Sequence, residues 1–105
     1  MRFLIALALA LAVVGCSDDR WPKNAGDTSC RDWLYEMTAD QRADLAEAVL
    51  AALWERDGAA QVPPEAVVLR FALAIGGVCV DHTATVGTVA VWFYGRVDDF
   101  KPGSE

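Results

Sequence analysis

Three cysteines, one histidine and fifteen carboxylates are the groups in this 105-residue chain with the means to do chemistry. Cys79 stands three residues before His82, with Asp81 next to the ring, in "CVDHT". A thiol near an imidazole can serve as a nucleophile, and an Asp–His pair can begin a metal site. His82 is the only histidine. A metal site could therefore draw on one imidazole at most, far from the three or four converging ligands that zinc takes. The plainer reading is an exposed histidine in a loop. No nucleophile elbow, phosphate loop or dinucleotide fingerprint occurs. Asp18–Asp19 and Asp98–Asp99 are adjacent pairs in polar stretches, where solvation accounts for them. Asp40 and Asp44 lie near a helix start, where the helix dipole favours negative charge. The residues point away from catalysis: no catalytic residue, no metal and no cofactor is expected.

What the cysteines do depends on where the chain resides. Met1 and Arg2 give a positive start, and Phe3 through Val14 form an uncharged apolar run. A spanning helix needs about 20 apolar residues. This run is shorter and has the length of a secretory h-region. It closes on "VVGC" at 13–16, which resembles the lipobox of bacterial lipoproteins, with Val13 where leucine is commoner. The resemblance implies a signal peptide over 1–15, cleavage before Cys16, and a diacylglyceryl group on the Cys16 sulfur. The alternative is a soluble secreted protein with Cys16 there by chance. One acyl chain holds a protein only weakly, whereas two or three hold it firmly. The membrane, through Cys16, is thus the first expected partner, and the extracytoplasmic face of a bacterial cell membrane the expected location. Ser17 follows Cys16. In bacteria with an outer membrane, Asp there would signal retention in the inner one.

The mature chain would keep eight basic residues against fifteen acids, a formal charge of −7. Nucleic-acid binding needs the opposite excess, so no nucleic acid is expected. Residues 16–27 are polar, with Pro22 and Gly26, and read as a lipidated cysteine and a flexible tether. Trp21 in this stretch would sit either at the membrane interface or on its own domain. Cys30 and Cys79 then remain, an even count in an oxidising compartment, which implies one disulfide. The alternative is a pair of reactive thiols. Neither cysteine has the C-x-x-C partner or the cluster of cations that would favour it.

Positioning those groups falls to helices. Ser29 and Asp32 suggest a cap and first turn for a short helix with Cys30, Trp33, Leu34 and Met37 on one face. "TADQ" at 38–41 is a capping box. It opens a long helix with Leu45, Ala46, Val49, Leu50, Leu53 and Trp54 as its apolar stripe, stopped at Gly58. Pro64 suits the start of a third helix over 65–80, with Val68, Phe71, Ile75 and Cys79 aligned. "TATVGTVAVWFYG" has the β-branched and aromatic content of a strand, yet a lone strand would have no partner. Val86, Val89, Ala90 and Phe93 fit a helical stripe, so a fourth helix is expected. The fold class is all-α: a small bundle of about four helices over 28–102, stapled by Cys30–Cys79, with a tail at 103–105.

"TSCRDWLYEMTADQ", the later Val68, Phe71, Ile75 and Cys79, and the closing "DDFKP" resemble the HdeA/HdeB superfamily of small periplasmic helical proteins, and within it actinobacterial secreted and lipid-anchored members. The resemblance implies a helical fold with one disulfide joining these positions. It also implies an acid-stress chaperone that loosens below about pH 3 and holds unfolding clients. The chain departs from that pattern by its lipid anchor and by lacking lysine-rich ends.

Trp92, Phe93 and Tyr94 are consecutive and cannot all face inward on one helix. Exposed aromatics often mark binding surfaces, so Trp92 and Tyr94 are the candidate partner-binding residues. Tyr94 could equally lie flat on its own domain. The favoured function is a non-enzymatic, lipid-anchored envelope protein that binds another envelope protein at the membrane surface. The acid-activated holdase is the alternative. A phage- or prophage-encoded lipoprotein for superinfection exclusion is a further one.

Overall fold

The computed structural model describes residues 21–103. Three of the four described α-helices begin where a side chain satisfies a free N–H group of the first turn. The Ser29 hydroxyl accepts from the Asp32 amide at 3.0 Å and opens α1, Cys30–Tyr35. Thr38 and Gln41 cap reciprocally. The Thr38 amide donates to Gln41 Oε1 at 2.8 Å, and the Gln41 amide donates to Thr38 Oγ1 at 3.1 Å. They start α2, Ala39–Arg56, which stops before Gly58, whose φ of +89° suits glycine. Pro64 precedes α3, Glu65–Val78, and Thr85 caps α4, Val86–Arg96. A 3₁₀ turn follows at Asp98–Phe100. The segment with strand-like composition is therefore a helix. Its Thr85 cap and its apolar spacing outweigh intrinsic preference, because burial decides.

The helices α2, α3 and α4 pack against one another around Leu50, Leu53, Trp54, Val68, Phe71, Ile75, Val86 and Ala90. Two stripes differ in detail from expectation. α3 ends at Val78, two residues early, and Cys79 is its C-cap. On α4, Tyr94 takes the inward position and Phe93 is only half-buried. The reason is the tail. Phe100 is buried and meets Phe71 edge-to-face at 5.1 Å and Phe93 at 5.7 Å, so it occupies the space beside Phe93. The Trp54 indole N–H donates to the Phe100 carbonyl at 2.7 Å and satisfies both buried groups. The Cys30–Cys79 disulfide, with Cα atoms 5.2 Å apart, fastens the start of α1 to the end of α3.

The flexible tether expected over 16–27 is corrected from Trp21 onward. Thr28 is fully buried; its hydroxyl donates to the Asn24 carbonyl at 2.8 Å and accepts from the Trp21 indole at 2.8 Å. The Gly87 amide donates to the Ala25 carbonyl at 2.9 Å, the Val86 amide to the Thr28 carbonyl at 2.8 Å, and the Cys30 amide to the Ala84 carbonyl at 2.8 Å. Polar composition suggested a linker, but these polar groups are spent on turns and on the start of α4. Gly87 permits the approach, since a Cβ there would meet the Ala25 carbonyl oxygen at 3.1 Å. Trp21 packs on its own domain. The expected signal peptide and Cys16 lie outside the described residues.

Candidate functional site

α4 presents one large aromatic to solvent. Trp92 is 48 % exposed, with the Arg96 guanidinium 4.8 Å from its ring centroid, one helical turn on. Phe93 lies against Trp92 edge-to-face at 6.0 Å. Phe93 touches Phe100, and Phe100 touches Phe71 at the centre of the core. The rings form one chain from α3 through the 3₁₀ turn to the surface. Phe93 on one side and Arg96 on the other flank the indole where it emerges. Arg96 adds a cation beside the apolar ring, and a reading confined to the aromatic residues passed over it. The i, i+4 spacing from Trp92 was the available signal.

Tyr94, expected beside Trp92 as a partner-binding residue, is corrected: it is 1 % exposed and faces the core. Its hydroxyl donates to Asp57 Oδ2 at 2.6 Å and so joins α4 to the residue that ends α2. That hydrogen bond, ahead of the nearby Arg56 and Lys101 charges, holds the Asp57 carboxyl below its ordinary value. Burial first, and then the Asp57 carboxylate, pushes the Tyr94 hydroxyl up to about 12. Arg56 and Lys101 lie 5.7 and 5.8 Å from the Tyr94 ring centroid. Tyr94 is a fastener between helices, unavailable to a partner.

The Cys79–Asp81–His82 grouping does not assemble into a nucleophile, because the Cys79 sulfur is bonded to Cys30. His82 is exposed and meets Tyr35 edge-to-face at 5.4 Å. Asp81 Oδ1 accepts from the Thr83 amide at 3.0 Å and its hydroxyl at 2.7 Å, which shapes the loop and lowers the Asp81 pKa. Among the described residues no three His, Cys, Asp or Glu side chains gather to hold a metal ion. No described helix is long and apolar enough to cross a membrane. A second exposed apolar surface, which the expected core stripe of α3 left unaddressed, carries Leu69 and Leu73 on that helix. No protein family, curated protein or solved structure matches the chain.

Proposed function

We propose that this chain is a lipid-anchored, non-catalytic protein of the extracytoplasmic membrane face, and that it binds another envelope protein through Trp92 and Arg96. The observation that carries the binding reading is the half-exposed Trp92 with a guanidinium over its ring. Tryptophan and arginine are the residues most often found to dominate protein interfaces. The fitting partner offers an apolar pocket with a carboxylate on its rim. The anchor reading is supported by "VVGC" at 13–16 and by the apolar run before it. With the chain fastened to its domain from Trp21, four residues and five Cα–Cα steps separate it from Cys16. Those five steps reach about 18 Å when extended, which keeps the domain at the membrane surface.

A photoreactive amino acid in place of Trp92, in the full chain expressed in its host, tests the binding reading. A discrete adduct that Arg96→Ala diminishes supports it. No adduct at Trp92 under several growth conditions sinks it. Mass spectrometry of the mature N-terminus tests the anchor separately. A diacylglyceryl group on Cys16 is expected, and an intact Met1 terminus overturns it.

An acid-responsive holdase is a second reading, favoured by the Asp57–Tyr94 hydrogen bond. Protonating Asp57 weakens the fastening of α4 to α2, and the buried aromatics beneath it are what a client would meet. Suppression of client aggregation at pH 2–3, followed by light scattering, is the expected result. A fold unchanged at that pH by circular dichroism excludes it.

A further inference from the structure

Helices that are apolar all round are normally covered all round. α3 carries two charges, Glu65 and Arg70, and its outward side is apolar: Leu69 is 46 % exposed and Leu73 is 77 % exposed. Ala66, Leu69 and Leu73 are exposed and follow one another at steps of three and four, whereas Gly76, the next in the series, faces the buried Trp33. This is the a/d pattern of a helix that pairs with another helix. In the same register Glu65 falls at a g position and Arg70 at the following e position.

We infer that α3 pairs with α3 of a second copy of this chain, in parallel, along Ala66, Leu69 and Leu73, with Glu65 of each copy facing Arg70 of the other. Parallel pairs bring g of one helix against e of its partner five residues on, so the Glu65–Arg70 contact occurs twice. The charge on each flank argues for this orientation. A groove between α2 and α3, lined by Ala43, Asp44, Glu47, Pro63, Glu65 and Leu69, runs along the Glu65 flank. Its three carboxylates have no ion pair among the described residues, and neither does Arg70 on the opposite flank. Parallel pairing carries the second copy's Arg70 to those carboxylates. Antiparallel pairing would set the acidic flank against itself. The pairing involves neither the lipid anchor nor Trp92.

Cysteine crosslinking of the purified full chain in mild detergent tests this, with the unsubstituted chain as the background for Cys16. Leu73 is exposed, so substitution there leaves the core intact. Ala66→Cys and Leu73→Cys should each give a disulfide-linked dimer under mild oxidation, well above background, and Thr88→Cys on α4 should not. In the Leu73→Cys chain, Glu65→Arg or Arg70→Glu should each lower the dimer yield about five-fold, and the two together should restore it. A bond at Leu73→Cys without one at Ala66→Cys overturns the parallel register. No bond above background at either position overturns the dimer. A double charge exchange as weak as the single ones overturns the Glu65–Arg70 assignment.

Discussion

The Tyr94 hydroxyl and the Asp57 carboxylate, 2.6 Å apart, make the stability of this domain depend on pH in both directions. Asp57 titrates below its ordinary 3.8 in the folded chain, so its contribution is present above about pH 4 and is lost as pH falls further. Tyr94 titrates near 12 folded against 10 unfolded. Its contribution is complete below pH 10 and is lost as pH rises toward 12. Tyr94→Phe removes the shared bond and keeps the ring. It should lower the urea midpoint at pH 7, and the difference from the parent chain should shrink at pH 2. Equal differences at both pH values, followed by circular dichroism, would contradict the assignment. The same pair shows where residue-level reading of the sequence stops. Phe93 and Tyr94 both suit the α4 stripe, and the choice between them rests on Phe100 and on Asp57, which lies 37 positions away. Nothing local carries that information.

At the level of elements, what was legible is what is closed locally. The Thr38–Gln41 capping box, the Ser29 cap and the Gly58 stop each involve residues within four positions, and the stripe of α2 follows from spacing alone. Thr38→Ala should cost about 1 kcal/mol in denaturant unfolding. The docking of Trp21–Thr28 was not legible, because its counterpart is the start of α4, about 60 residues on. Two glycines of α4 separate these cases with opposite signs. Gly95 has open space and an ordinary φ, so Gly95→Ala should stabilise by about 0.5–1 kcal/mol. Gly87→Ala would press a methyl onto the Ala25 carbonyl and should destabilise by about 1–3 kcal/mol. It should also free the Trp21 indole, seen as a shift of its N–H resonance. Equal effects from both substitutions would refute the close approach at Gly87.

For the whole molecule, the core is small, and the disulfide should supply a large share of its stability. Closing a loop over 49 positions is worth about 4 kcal/mol in the chain-entropy view, against the 5–15 kcal/mol typical of a domain. Replacing both Cys30 and Cys79 by serine should lower the melting temperature markedly or leave the chain unfolded at 37 °C, as calorimetry would show. An unchanged melt would mean that the helices hold without it. The cysteine count announced this bond, whereas the outward face of α3 went unread. Periodicity identifies which side of a helix is apolar, and on α3 both sides are. Only the packed bundle shows which one α2 and α4 leave open.

The same bond has a topological effect. It closes α1, α2 and α3 into a covalent ring and leaves α4 and the final turn as a branch outside it. A protease that nicks the exposed Gly58–Val62 connection leaves both pieces joined through sulfur, able to hold their shape and their position. A nick in the exposed Val80–Thr83 loop has no such safeguard, and it severs the backbone joining the ring to the branch that bears Trp92.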